Sequence, residues 1–282
     1  MPWNSKYWDI IEQLYWTPPY LGFASIPQNK WNRHEELICV PKELINPKGP
    51  IYTRTRNIGE QLDWLRRKEE ILNHIFDLTF SIVADDILKR LFYRPLGLDD
   101  DGPFESFGRE INERYGWGMD NVMQQDGFFV SPSTLIGVEL KLEAKPSPVQ
   151  IVKYAAMMTS EEIFSERRRE HGLLFIIPES SLSDYWAKCG LKGPEIDSSF
   201  IESVPSMDLN KRIREIIEKH AYHFHSLLEG LKLAVVTWST LREELLEIES
   251  YLDPSQLGEQ TLQRLIVGFR SQIEEHDGTG VN

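Results

Sequence analysis

Apolar residues recur at helix-like spacing from Trp3 to Trp16, and the prolines and glycine of TPPYLGFASIP break the run. Up to about Asn57 the pattern is mostly irregular, with one short strand expected around Leu37 to Val40. A helical stripe follows from Ile58 to Tyr93, carried by Leu62, Leu65, Ile71, Leu72, Ile75, Leu78, Ile82, Ile87 and Leu91, until RPLGLDDDGP ends it. Pro103 suits a first helical turn, and Phe104, Phe107, Ile111 and Tyr115 predict a further helix that stops at Gly116 and Gly118.

The period then changes. Two apolar runs, Val122 to Val130 and Leu135 to Leu142, flank SPST and predict a hairpin. Pro146 and Pro148 introduce a helix from about Val149 to Arg168, and HGLLFIIPE, from His171, reads as a buried central strand. A helical block from Leu209 to Gly230 leads into KLAVVTW, a second buried strand, and then into a helix capped by Ser239 or Thr240. A last helix, Glu259 to Glu275, precedes a tail, DGTGVN, expected to fray. The order describes an α/β core with a small mixed sheet, after a mainly helical N-terminal region over residues 1–100.

Composition changes this picture little. A chain of 282 residues can bury a sizeable core, and no apolar run reaches membrane-spanning length. The first residues lack the layout of a signal peptide, so a cytoplasmic protein with no membrane partner is expected. Cys39 and Cys189 are too far apart in sequence to form a metal knuckle and read as reduced thiols. The net charge of -13 argues against indiscriminate binding to a polyanion, although the stretch from Lys141 to Glu170 is close to neutral.

Chemistry concentrates in the hairpin. If it turns at Pro132 and Ser133, counting outward from Ser131 and Thr134 sets Asp126 opposite Glu139. Alternation puts Glu139 and Lys141 on one face with Asp126, while Val138, Leu140 and Leu142 point into the core. Two close carboxylates repel each other and recruit a cation, and hard oxygen donors suit magnesium or manganese. The competing reading is a salt-bridged hairpin facing solvent.

Asp126, twelve intervening residues and then Glu139-Leu140-Lys141 on the following strand resemble the signature of the PD-(D/E)xK nuclease superfamily, with its restriction-endonuclease-like fold. Gln150 and Tyr154, four apart on the next helix, resemble the Q-x-x-x-Y motif of its recombination-type nuclease branch. Gln125 stands where the family usually has proline. The resemblance covers roughly Asp101 to Thr240, and it implies a nuclease domain over residues 101–282 with the N-terminal region serving recognition or dimerisation. It further implies Mg²⁺ or Mn²⁺ held by Asp126, Glu139 and the Leu140 carbonyl, Lys141 beside the attacking water, and Gln150 and Tyr154 as positioning groups. An acidic residue from the first core helix often joins them; Glu110 is the candidate, with Asp120 as an outside choice, while Glu113, nearly opposite the apolar stripe, reads as solvated. DNA is the expected substrate rather than RNA, in restriction, defence or repair, and a homodimer is expected by resemblance. The alternative is an inactive member of the fold working as a protein interaction module.

Other residues read more plainly. His220, His223 and His225 are ordinary helix histidines, and Arg167, Arg168 and Arg169 are divided between phosphate contacts and a solvated helix end. Trp3, Trp8, Trp16 and Trp31 suit a core or a subunit contact.

Overall fold

The computed structural model of the chain describes residues 69–107, 125–142 and 146–281. The chain divides into two compact units, residues 1–72 and 73–282, and the described residues lie almost wholly in the second. The helix expected over Trp3 to Trp16, the strand at Leu37 to Val40, and Glu110, Glu113 and Asp120 lie outside the described residues.

In chain order come α1 (Glu69–Phe80), α2 (Asp85–Leu88), a π turn (Lys89–Tyr93) and a 3-10 turn (Arg94–Leu96), then β1 (Glu105–Ser106), β2 (Gly127–Val130) and β3 (Thr134–Leu140). Helix α3 (Pro148–Ser165) crosses over to β4 (Glu170–Ile177), and short helices α4 (Tyr185–Lys188) and α5 (Ser198–Ser203) follow. Helices α6 (Lys211–Lys219) and α7 (Ala221–Gly230) lead to β5 (Lys232–Thr237), and α8 (Trp238–Tyr251) and α9 (Leu257–Glu275) end the fold. The strands form one mixed sheet in the order β1-β2-β3-β4-β5, antiparallel from β1 to β3 and parallel from β3 to β5.

Helices cover both faces, so every residue of β3 is buried. On one face Tyr154 and Met157 of α3 pack with Leu135, Leu173 and Phe175 of the sheet, and Phe224 and Leu228 of α7 close the cluster. On the other, Phe76 and Phe80 of α1 meet Phe92 and Phe269, and Phe92 stacks on Phe129 of β2 at 5.3 Å. No helix among the described residues is long and apolar enough to cross a membrane.

The hairpin has the expected register. Gly127 pairs with Val138 and Val130 with Leu135, and the Ser131 N–H donates to the Thr134 carbonyl at 3.0 Å. Asp100, buried, holds the turn: its carboxylate accepts the Ser131 and Ser133 hydroxyls and, at 2.8 Å, that of Thr134. Burial alone would raise this carboxyl, but these donors and the Gly102 N–H hold it below its ordinary value.

Several expectations are corrected. No helix starts at Pro103; Glu105 and Ser106 form an edge strand against Val130 and Phe129, and the Phe107 N–H donates to Phe128 at 2.8 Å. Backbone pairing at a free sheet edge outweighs the helical spacing of Phe104 and Phe107. The stripe ending at Tyr93 is broken after Phe80, where the Thr79 and Ser81 hydroxyls bond back to Ile75 and Leu78 and Ala84 turns extended. The block from Leu209 to Gly230 is two helices split at His220. Thr237, not Ser239 or Thr240, caps α8, its side chain accepting the Thr240 N–H at 3.1 Å. Nor does the tail simply fray: Asp277–Thr279 forms a 3-10 turn, and the buried Thr279 hydroxyl donates to Ile273 at 2.8 Å. The short helices between β4 and α6 carry no periodic signal in the sequence.

Candidate active site

The parallel strands β3, β4 and β5 end on one edge of the sheet, the position at which open α/β sheets build their sites. Glu139 and Lys141 lie at the end of β3 there, and Asp126 occupies the bend just before β2. All are buried, at 3 %, 6 % and 8 % exposure respectively, which rules out a solvent-facing hairpin.

Asp126 departs from the simple alternation. Its carboxylate turns into the plane of the sheet, where Oδ2 accepts the Leu140 N–H at 2.7 Å. The side chain thus takes the hydrogen bond that a longer β2 would have made, and the Leu140 carbonyl faces the same side of the strand. Oδ1 accepts from Asn73 Nδ2 of α1 at 2.5 Å.

Glu139 is the centre of a second set. One carboxylate oxygen accepts from Lys141 Nζ and from Gln150 Nε2, and the other accepts the Tyr154 hydroxyl at 2.9 Å. That hydroxyl also lies 2.8 Å from the Val138 carbonyl. Gln150 and Tyr154 share one face of α3 because they are one turn apart, and Ser147, whose side chain caps the helix through the Val149 N–H, fixes its start. Burial, then the charges of Glu139 and Asp126, push the Tyr154 phenol well above its ordinary range, so it stays a proton donor.

The described residues assigned to the site fall into two hydrogen-bonded sets at this edge, Asp126 with Leu140, and Glu139 with Lys141, Gln150 and Tyr154. Asn73 and Trp238 carried no signal in the sequence. Trp238, fully buried at the start of α8, donates from Nε1 to the Lys141 carbonyl at 2.9 Å and fixes the backbone that carries the ammonium. Tyr185 and Cys189 lie nearby, and burial pushes the thiol up to about 11, leaving it unreactive.

The histidines and arginines serve elsewhere. His223 and His171 both contact the buried carboxylate of Glu162, His171 at 3.0 Å, and the Arg169 N–H donates to it at 2.6 Å. Arg169 also donates to the Ser131 carbonyl at 2.8 Å, so it braces the start of β4, at the end of the sheet away from Lys141. Among the described residues no group of three or more His, Cys, Asp or Glu side chains is set to hold a metal ion. Asp126, Glu139 and the Leu140 carbonyl are nonetheless a hard-oxygen set, and two carboxylates against one ammonium leave it with net negative charge, which fits a divalent cation of the magnesium type.

Comparison of the chain with protein-family models, curated proteins and solved structures gives no match.

Proposed function

We propose that this chain is a divalent-cation-dependent nuclease of the PD-(D/E)xK type that hydrolyses phosphodiester bonds in DNA, working as a homodimer. The observation that carries the reading is the convergence of Gln150 and Tyr154 on Glu139, which joins two separate sequence motifs into one site. The succession of hairpin, helix and parallel strand around it supports the same reading.

Asp126, Glu139 and the Leu140 carbonyl would hold Mg²⁺ or Mn²⁺. Such a cation, when bound, lowers the pKa of a water and stabilises charge on the phosphate oxygens. Lys141, buried and in contact with Glu139, would add positive charge beside that carboxylate, where the low local dielectric strengthens its field on a phosphate. Tyr154 and Gln150 keep Glu139 oriented through donors that do not ionise at neutral pH, and Asn73 with the Leu140 N–H does the same for Asp126.

The alternative, an inactive fold acting as an interaction module, is favoured by one feature: Glu139 already accepts from Lys141, Gln150 and Tyr154. Incubation of purified protein with linear DNA, circular DNA and RNA, in Mg²⁺, Mn²⁺ or EDTA, separates the two. Metal-dependent cutting of DNA, lost in Asp126→Ala and Lys141→Ala, is the expected result. A folded wild type inert under all conditions would sink the nuclease reading and leave the module.

A further inference from the structure

Asn73 holds one atom that the hydrogen-bond network does not use. Its Nδ2 donates to Asp126 Oδ1 at 2.5 Å, whereas its Oδ1 is buried and accepts no hydrogen bond among the described residues. Leaving a buried amide oxygen without a partner costs on the order of 1–3 kcal/mol, and folded proteins rarely do so without a reason. Rotating the amide does not remove the problem. It would set Oδ1 against Asp126 Oδ1, acceptor facing acceptor, so Asp126 fixes the orientation.

The placement follows from the packing of α1 on the sheet. Phe76 lies directly over Gly127, where an added Cβ would stand 2.8 Å from its Cε1. Asn73 is three residues earlier on the same face of α1 and therefore reaches Asp126, the residue before Gly127. The two heteroatoms of an amide share one planar carbon, so Oδ1 is held beside the same carboxylate that Nδ2 touches. A side-chain amide oxygen is a hard, neutral donor of the kind divalent cations accept.

We propose that Asn73 Oδ1 is a further protein donor to the divalent cation held by Asp126, so that α1 closes the site on the side of the sheet opposite α3. This rests on the cation-dependent reading of the site given above. Because the donor is uncharged, it would add an oxygen to the site without adding a third carboxylate. Asp126 keeps its orientation through the amide N–H, and the cation takes the amide oxygen.

The test uses Mn²⁺ bound to the full-length protein without nucleic acid. With asparagine labelled at the side-chain carbonyl carbon, electron–nuclear double resonance of bound Mn²⁺ is expected to show a ¹³C coupling of a coordinated amide. The coupling should vanish in Asn73→Leu, and Mn²⁺ affinity, read from the free-ion signal, should fall roughly 10–100-fold. Mn²⁺ bound by the wild type with no ¹³C coupling would overturn this inference alone and leave the nuclease reading standing. Absence of Mn²⁺ binding by a folded wild type would overturn both. If Asn73→Leu does not fold, the labelled wild type still decides, and Asn73→Ser supplies the affinity comparison.

Discussion

The ring of Tyr154 presses against Gly137 along its Cδ1–Cε1 side: a Cβ added to the glycine would stand 2.3 Å from the tyrosine Cδ1. Only a bare backbone at this point of β3 lets the ring pass over the strand and bring its hydroxyl to Glu139, two residues on. The glycine thus shapes the site although it brings no side chain to it. Gly137→Ala is expected to lose roughly 1–3 kcal/mol of stability by overpacking, and its cleavage rate should fall more than its unfolding midpoint suggests. Urea denaturation beside a rate measurement checks this, and an unaltered rate would show that the hydroxyl's position is immaterial.

Trp238→Phe isolates the support of Lys141. The substitution keeps most of the ring in the core but leaves the Lys141 carbonyl without its indole donor. A loss of about 1–3 kcal/mol in stability is expected, with kcat for DNA cleavage falling while KM changes little.

Glu162 makes stability depend on pH. Burial would raise its carboxyl, but hydrogen bonds from His171, His223 and the Arg169 N–H bring it down from 4.5 to about 2. The unfolded chain therefore binds this proton more tightly than the folded one. The stabilisation, on the order of 3 kcal/mol, is complete above a pH of about 4.5 and disappears as pH falls toward 2. Glu162→Gln should lack that dependence, so the difference in unfolding free energy between wild type and variant should shrink across this window. A constant difference would contradict the assignment.

Asp100→Ala tests the turn. Three hydroxyls lose their common acceptor, at Ser131, Ser133 and Thr134. A loss of at least about 2 kcal/mol is expected, seen as a lower urea midpoint at unchanged slope.

Much of the sheet was legible because its cues are local and periodic. SPST set the hairpin register, and the continuous apolar run around Leu173 marked a strand covered on both sides, whereas the run around Leu233, expected to be buried as well, forms the outermost strand β5 and is half-buried at Ala234, Val235 and Val236. Asp126, Glu139, Lys141, Gln150 and Tyr154 were found because poor strand residues and a helical spacing stand out against an apolar background. What escaped was nonlocal. Asp100 lies 31 residues before Ser131, and Asn73 lies 53 before Asp126; neither partner leaves a trace in the residues around it. The edge strand β1 is two residues long, too short for any period, so the phenylalanines beside it set the helix start wrongly at Pro103, while Ile111 and Tyr115 lie outside the described residues.

The hairpin of β2 and β3 is tied at both ends by carboxylates: Asp100 grips the turn, and Asp126 grips the Leu140 N–H at the open end. Sliding one strand by a single residue would turn Glu139 out of reach of Gln150 and Tyr154, and it would also have to break both anchors together. The turn, far from Glu139, acts as a ratchet pawl for it: damage at Asp100 should let the strands slip, and the hydrogen-bonded set around Glu139 would then be lost as a unit instead of residue by residue.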